Sequence, residues 1–439
     1  MSIPSACNGE KLLRVPAAGT LSPRSRRLVV PLFGLLAVFA LGGGGHSLAE
    51  PLGDGDAKTI PGILSGRSGA IKAKMLRENG GNKASEAAVA AGLRFLALHQ
   101  APDGHWSLHA FNLDARTEPL PAGKRVGDNS QPMTELKNDT AGTAFGLLPF
   151  LAAGITDKPP KDAKQIDYSK VVELAIANLL KRQSKAEEDR GNYGGDMYSH
   201  GIATIAMCEA YALTSDPRIK KSAQMAIVYI VSAQDPAGGG WRYTPRKPGD
   251  TSVTGWQLMA LKSGQMANLT VRRTALKKVE KYLDTCEGDK KGLYSYVPGS
   301  TKTAAMTAVG ALCRQYLGVH PRNQSLLAGI KRIKATPPGS GADALYYEYY
   351  ATQVMYHMGG EAWEFWNLGR GGTKGMRDTL IARQDKGQGG RAGQAGSFAG
   401  HDTVGGRLGA TSLSLLSLQI YYRYTPLYRR DLGVNKPEK

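Results

Sequence analysis

The sequence has little cysteine, which excludes two common ways of stabilising a fold. Among 439 residues it holds only Cys7, Cys208, Cys286 and Cys313. No CxxC pair and no Cys/His cluster with zinc-ligand spacing occurs, so we predict neither a disulfide framework nor a metal site. Cys208 and Cys313 fall in apolar helical stretches, where a buried thiol is the ordinary role of cysteine. No cofactor is predicted.

Acidic residues are also in short supply. The chain has 37 Asp and Glu against 56 Lys and Arg, a formal net charge of +19. A positive charge of this size can attract an anionic partner to the basic surface. The alternative is that the charged side chains only keep that surface solvated. No Lys/Arg run is interleaved with aromatic residues, so no specific nucleic-acid binding is predicted.

The chain lacks an apolar run of membrane-spanning length. Its apolar run from Leu28 to Leu41 is shorter than the roughly 20 residues that a spanning helix needs. Three arginines precede this run and Ser47-Leu48-Ala49 follows it, which is the order of an export signal. We therefore predict a signal peptide over residues 1–49 and a soluble periplasmic or extracellular protein. A retained signal anchor is the alternative. Residues 50–83 are predicted to be a flexible lead-in.

Glycine is abundant, with 55 residues, and marks the turns of an internal repeat. Each repeat has an amphipathic helix that ends near a Gln, a Gly-rich turn with an aromatic residue, and a more apolar helix. The pattern predicts six hairpins over residues 84–424, followed by a tail over 425–439. The first helices are predicted to start near Ala84, Tyr168, Pro217, Val271, Asn323 and Gly375. The second helices are predicted to start near Asp139, His200, Asp250, Thr303, Glu348 and Arg407.

The turns carry the clearest signature of the repeat. Residues 100–106 read QAPDGHW and residues 234–241 read QDPAGGGW, with weaker copies after Gln183, Cys286 and Gln384. Glycine supplies a helix stop at positive φ, and we expect the aromatic side chain to fold back over the helix end. The Gln amide is expected to pair with free N–H groups of the next helix. Each turn would thereby join one hairpin to its neighbour.

The second helices share a threonine followed by small and apolar residues. Helices this apolar must be buried on most sides, whereas the first helices have a basic face suited to the outside. The sequence therefore predicts an all-α fold in which an inner and an outer ring of helices close into an α6/α6 toroid. The aligned threonines are Thr143, Thr204, Thr254, Thr307, Thr352 and Thr411.

This pattern resembles the prenyltransferase and squalene oxidase repeat family, over almost the whole chain beyond residue 84. The Gln-to-Trp turns look like the QW motifs of its terpenoid cyclases. The resemblance implies a central cavity, which in family enzymes holds an isoprenoid chain. It does not supply the catalytic acid, because Ser252 stands where the cyclases have the proton-donating Asp of their DxDDT motif. The zinc site of the prenyltransferase subunits is not predicted either, since Cys286 aligns with a turn Gln.

The residue four positions before each aligned threonine is polar in every repeat. Because residues i and i+4 share a helix face, these side chains are expected to form a ring at the mouth of the cavity. Helix capping is the alternative explanation for Asp139 and Asp250. Aromatic residues near the same helix starts could hold an apolar substrate or fill the core. The candidate catalytic residues are Asp139, His200, Asp250, Glu348 and Arg407, and the candidate substrate-binding residues are Tyr346, Tyr347, Tyr349, Tyr350 and Trp256.

Three functions remain open from the sequence. The first is an isoprenoid-processing enzyme, resembling a cyclase or a transferase, with an apolar or isoprenoid small molecule in the cavity. The second is a non-catalytic binding or interaction toroid that has the fold without the acid motif. The third is a carbohydrate-active α6/α6 enzyme that uses a carboxylate such as Asp139, Asp250 or Glu348. Whether the protein is an enzyme at all is left undecided by the residues.

Overall fold

The computed structural model describes residues 65–67, 69–340, 344–400 and 405–427. The predicted signal peptide and residues 428–439 of the predicted tail lie outside this part. Within it the chain forms 15 α-helices and no β-strand. The helices are α1 (Gly69–Glu78), α2 (Lys83–Leu98), α3 (Asp139–Ala152), α4 (Ser169–Arg182), α5 (Met197–Thr214), α6 (Pro217–Ala233), α7 (Thr251–Met266), α8 (Arg273–Glu287), α9 (Ala304–Tyr316), α10 (Gln324–Lys334), α11 (Ala344–Met358), α12 (Gly360–Leu368), α13 (Met376–Arg383), α14 (Gly406–Leu418) and α15 (Ile420–Arg423).

Six of these helices form a closed inner ring. They are α3, α5, α7, α9, α11 and α14; each packs against the next, and α14 packs against α3. The outer helices α2, α4, α6, α8, α10 and α13 precede them in the six hairpins, so the all-α toroid is confirmed. Helices α1, α12 and α15 are additions that the repeat did not predict. None of the described helices is long and apolar enough to cross a membrane.

The inner helices all begin at the same end of the ring. The first residues of α3, α5, α7 and α14 contact the loop that precedes the next inner helix. Thr140 Oγ1 donates to the Tyr193 carbonyl, the Met197 amide to Tyr243 and the Thr251 amide to Tyr296. We call this end the N-terminal face and the opposite end the C-terminal face.

Four turn glutamines each join one outer helix to the next, at four of the six steps around the outer ring. Each side-chain amide donates to a glycine carbonyl of its own turn and to a carbonyl in the first two turns of the following outer helix, with N···O distances of 2.7 to 3.0 Å. The expected pairing with free N–H groups is wrong, because the amide donates instead of accepting. Gln384 reaches the Ala88 carbonyl of α2 and so closes the ring. The glutamines are Gln100, Gln183, Gln234 and Gln384.

The aromatic residue of the turn folds back as predicted. The indole N–H of Trp106 donates to the Leu96 carbonyl at 2.8 Å, and that of Trp241 donates to Ile230 at 2.7 Å. The aligned threonine then accepts the backbone N–H of the same aromatic residue, for example from Trp241 to Thr254 at 3.0 Å. The face of the inner helix that carries the threonines therefore points toward the outer ring.

The C-terminal face is closed by segments from both ends of the toroid. Arg67 and Arg423 each donate to the Glu209 carboxylate at 2.8 Å, and all three side chains are at most 2% exposed. The Tyr424 hydroxyl donates to the same carboxylate at 3.0 Å. The predicted flexible lead-in is therefore wrong from residue 65 on, since Arg67 is buried and α1 follows it. A single buried arginine leaves no pattern in the sequence.

Candidate functional site at the N-terminal face

Two of the predicted catalytic residues, His200 and Glu348, point away from the ring centre. His200 Nδ1 accepts from the Tyr193 amide, and its ring lies 4.9 Å from that of Tyr229 on outer helix α6. Glu348 pairs with Arg383 of outer helix α13 at 2.7 Å. These side chains share the helix face of the aligned threonines, so the same i, i+4 rule that grouped them places them between the two rings.

Arg407 and Asp139 are also held outside the centre. Arg407 donates to the Gln131 carbonyl and to the Ser397 hydroxyl, both at 2.9 Å. Asp139 forms a partly exposed ion pair with Arg182 of α4 at 3.2 Å. The expected convergence of the five residues at one cavity mouth is not observed. Four of them contact outer helices or loops instead, and only Asp250 lies near the central aromatic residues; the four are Asp139, His200, Glu348 and Arg407.

Most of the predicted aromatic residues do converge at the centre. Trp256 is fully buried and stacks on Tyr349, with ring centroids 5.7 Å apart and planes inclined by 16°. Tyr350 and Tyr346 continue the cluster from α11. Tyr347 does not belong to it, because its hydroxyl donates to the Ile333 and Thr336 carbonyls beside the outer ring. The rings of five inner-helix residues occupy the middle of the toroid: Phe145, Tyr198, Trp256, Tyr349 and Tyr350.

Asp250 lies above this cluster as the N-cap of α7. Its Oδ1 accepts from the Val253 amide at 2.9 Å and from the Ser252 hydroxyl at 2.7 Å. Its Oδ2 is buried and makes no hydrogen bond to the described residues. Burial raises the pKa of Asp250, and the Ser252 and Val253 hydrogen bonds, the Arg242 charge and the nearby Tyr296 hydroxyl offset only part of this shift. A carboxyl group of this kind is a candidate proton donor.

Two loops cover Asp250 with half-exposed side chains. The loop before α7 supplies Arg242 and Tyr243, and the loop before α9 supplies Tyr296, whose ring lies 5.6 Å from the Arg242 guanidinium carbon. The Tyr243 ring lies nearly parallel to that of Tyr198, at 6.3 Å and 12°. Aromatic rings and one deep carboxyl group therefore meet at the N-terminal face.

Sequence reasoning missed a second carboxylate at this face. Asp196 is the N-cap of α5, the inner helix next to α7, and its Oδ1 accepts from the Ser199 amide and hydroxyl, both at 2.8 Å. Burial raises the pKa of Asp196, partly offset by these hydrogen bonds. The loop of Tyr243 lies between the two acids, since the Met197 amide donates to the Tyr243 carbonyl at 2.9 Å. The sequence did offer one signal for Asp196, because an Asp directly before an apolar helix is a typical N-cap.

The comparisons with known proteins assign the chain to no family. No protein-family profile matches the chain, and no curated protein is detectably similar in sequence. The similar solved structures include the GH76 α-1,6-mannanase of Salegentibacter sp. HEL1_6, at 13% identity and a TM-score of 0.48, covering 77% of this chain and 99% of that one. An inactive variant of that enzyme in complex with α-1,6-mannotriose matches at 11% identity and 0.48, covering 78% and 99%. At this level of similarity the likeness carries no argument about what the protein does.

The predicted membership of the prenyltransferase and squalene oxidase repeat family is wrong. Similar solved structures are instead α-1,6-mannanases, two of them inactive variants in complex with α-1,6-mannotriose or α-1,6-mannotetrose. The predicted apolar or isoprenoid partner and the transferase-like activity are wrong with it. The physical reason is that the Gln and Trp turns close a ring of hairpins through backbone hydrogen bonds. They therefore report the architecture and carry no information about the substrate.

Proposed function

We propose that this protein is a carbohydrate-active α6/α6 toroid that binds a saccharide at its N-terminal face and uses Asp250 as a general acid. The observation that carries the proposal is the Asp250 carboxyl group. It is buried beneath tyrosine rings, its pKa is raised by burial, and one of its oxygens has no hydrogen-bond partner in the described residues. A protonated carboxyl group can donate to a glycosidic oxygen as the bond to the anomeric carbon breaks.

Asp196 is the proposed partner of Asp250. Asp196 caps the inner helix next to α7, and the Tyr243 loop lies between the two carboxyl groups. In an inverting glycosidase the two carboxyl groups stand roughly 6.5–9.5 Å apart, which leaves room for the attacking water. In that reaction Asp250 gives its proton to the leaving oxygen while Asp196 accepts a proton from the attacking water. The water oxygen bonds to the anomeric carbon from the opposite side. The exposed parts of Tyr243 and Tyr296 would stack against the apolar face of a sugar ring.

A second candidate is a toroid that binds a saccharide at the same face without cleaving it. The observation that favours it is that Asp250 has 0% of its surface exposed. A substrate would reach the carboxyl group only after the loops of Tyr243 and Tyr296 move. In this candidate the carboxyl group would only position those loops.

The test is a digestion of defined oligosaccharides, including α-1,6-mannotriose, by the purified protein. We expect shorter products by mass spectrometry, and the first product should have the inverted anomeric configuration by proton NMR. Saturation-transfer signals from an oligosaccharide that stays intact would support the binding toroid instead. Neither cleavage nor binding across neutral, acidic and amino-sugar oligomers would contradict both candidates.

We also propose that the protein is exported, with the mature chain starting near Glu50. The support is the order of arginines, apolar run and small residues in residues 1–49, which lie outside the described part. N-terminal sequencing of protein from the periplasm or medium tests this. An intact residue 1 in a membrane fraction would show a retained anchor.

A further inference from the structure

Arg242 carries a charge at the N-terminal face that no described residue neutralises. Its guanidinium group forms no hydrogen bond and no ion pair with the described residues, Asp250 included, and none of its nitrogens is shut off from solvent. Every other arginine that is buried or partly buried in the described part of the chain donates to a carboxylate, a carbonyl or a hydroxyl group. Arg242 is the exception, and it lies beside the proposed acid.

The backbone of Arg242 is held on both sides. Trp241 before it is fully buried, and its carbonyl accepts from the Asp250 amide at 2.8 Å. The Tyr243 carbonyl after it accepts from the first amide of α5 at 2.9 Å. The guanidinium carbon lies 5.6 Å from the centroid of the Tyr296 ring, which is a cation–π contact. A cation that is held in place but has no acceptor is preorganised for an anionic ligand.

The charge of Arg242 also acts on the proposed acid. It lowers the pKa of Asp250 and so offsets part of the rise that burial causes. An anion paired with Arg242 would cancel that charge, and Asp250 would then hold its proton more firmly. A neutral ligand would leave the charge of Arg242 uncompensated. The arrangement therefore favours a ligand with a negative charge.

We propose that the saccharide bound at the N-terminal face carries a carboxylate, as a uronic acid residue does, and that Arg242 binds this group. The planar guanidinium fork matches a carboxylate through two parallel N–H···O bonds. The partly exposed rings of Tyr243 and Tyr296 lie beside it and can contact the apolar face of the sugar ring. The inference rests on the proposed function, because it names the substrate class of the same site.

The experiment compares trimers of galacturonic acid and of mannuronic acid with their methyl esters. Esterification keeps the sugar backbone and removes the negative charge. Binding to the purified protein is measured by isothermal titration calorimetry at neutral pH. We expect at least one acid trimer to bind about tenfold more tightly than its ester, since the ester loses the charge-assisted hydrogen bonds. In Arg242→Gln the acid and the ester should bind with the same affinity.

Arg273→Gln is the matched control for long-range attraction by the basic protein. Arg273 is exposed on outer helix α8, so its replacement removes the same unit of charge away from the site. This variant should keep the preference for the acid. Arg242→Lys keeps the charge and loses the fork, so its preference should fall between those of the wild type and Arg242→Gln.

The proposal is overturned if the esters bind as tightly as the acids, or if Arg242→Gln and Arg273→Gln lose the preference to the same extent. In both cases a saccharide still binds, so the proposed function would stand without this substrate class. If no acid, ester or neutral oligosaccharide binds, the proposed function fails and this inference fails with it.

Discussion

Replacing Glu209 by Gln should destabilise the folded protein by about 3–5 kcal/mol, the cost of breaking a buried ion pair. The substitution keeps the size of the side chain but removes the charge between Arg67 and Arg423. Both guanidinium groups are 1% exposed, so neither can recover its hydration when the carboxylate is gone. The free energy of unfolding, measured by chemical denaturation, checks this value.

Glu173→Gln is the matched control for this measurement. Glu173 forms a surface ion pair with Lys170 at 3.0 Å, with both side chains more than 40% exposed. A pair of that kind contributes about 0–1 kcal/mol. A Glu209 variant no less stable than the Glu173 variant would show that the arginines do not depend on the carboxylate.

The Glu209 contribution should also be lost in acid. Burial alone would raise the pKa of Glu209, but Arg423 and Arg67 lower it to about 2 from an ordinary value of 4.5. A depressed carboxyl pKa gives stability that is complete above about 4.5 and is lost as the pH falls through about 2. The wild type should therefore lose part of its advantage over Glu209→Gln in that interval.

Asp250→Asn should abolish function without destabilising the fold. If Asp250 is the general acid, its removal lowers turnover by about 10²–10⁴-fold. Asn is also a good N-cap, so its oxygen can still accept from the Val253 amide. The raised pKa of Asp250 means that the folded protein disfavours its charged form. The variant should therefore be as stable as the wild type at neutral pH, or more so.

The raised pKa of Asp250 also predicts how the free energy of unfolding changes with pH. A raised carboxyl pKa contributes stability below the unfolded value of 3.8, and the contribution is lost as the pH rises through the folded value. Asp250→Asn should remove that dependence. Asp216→Asn is the control, since Asp216 caps outer helix α6 far from the ring centre. A clear loss of stability in Asp250→Asn, with activity unchanged, would make Asp250 a structural cap only.

The repeat predicted the helices well because its signals are local. A glycine at positive φ and an aromatic residue that folds back mark each turn, so the twelve hairpin helices start within a few residues of their predicted positions. Helix α12 was missed because it follows α11 directly through Gly359, with none of the Gln signature. Arg67 was missed because its partners, Glu209 and Arg423, are distant in sequence.

The candidate site was only partly predictable. The i, i+4 spacing correctly grouped Glu348 and His200 with the aligned threonines, but the sequence does not state which side of an inner helix faces the centre. The threonines bind the turns, so that face lies between the rings. Trp256 and Tyr350 could be placed at the centre because aromatic residues in an apolar helix have few other places to pack. Asp250 was found for its position, but its burial depends on the loop of its own hairpin and on the loop of the next one.

The most direct test of the proposed function is the titration of the Asp250 carboxyl group by carbon-13 NMR. Its resonance is assigned by its disappearance in Asp250→Asn, and the protein is observed with and without an oligosaccharide. We predict a pKa above the ordinary 3.8 of an aspartate and a shift of the resonance when the saccharide binds. A pKa at or below 3.8, with a resonance that no saccharide perturbs, would contradict a saccharide site built around Asp250.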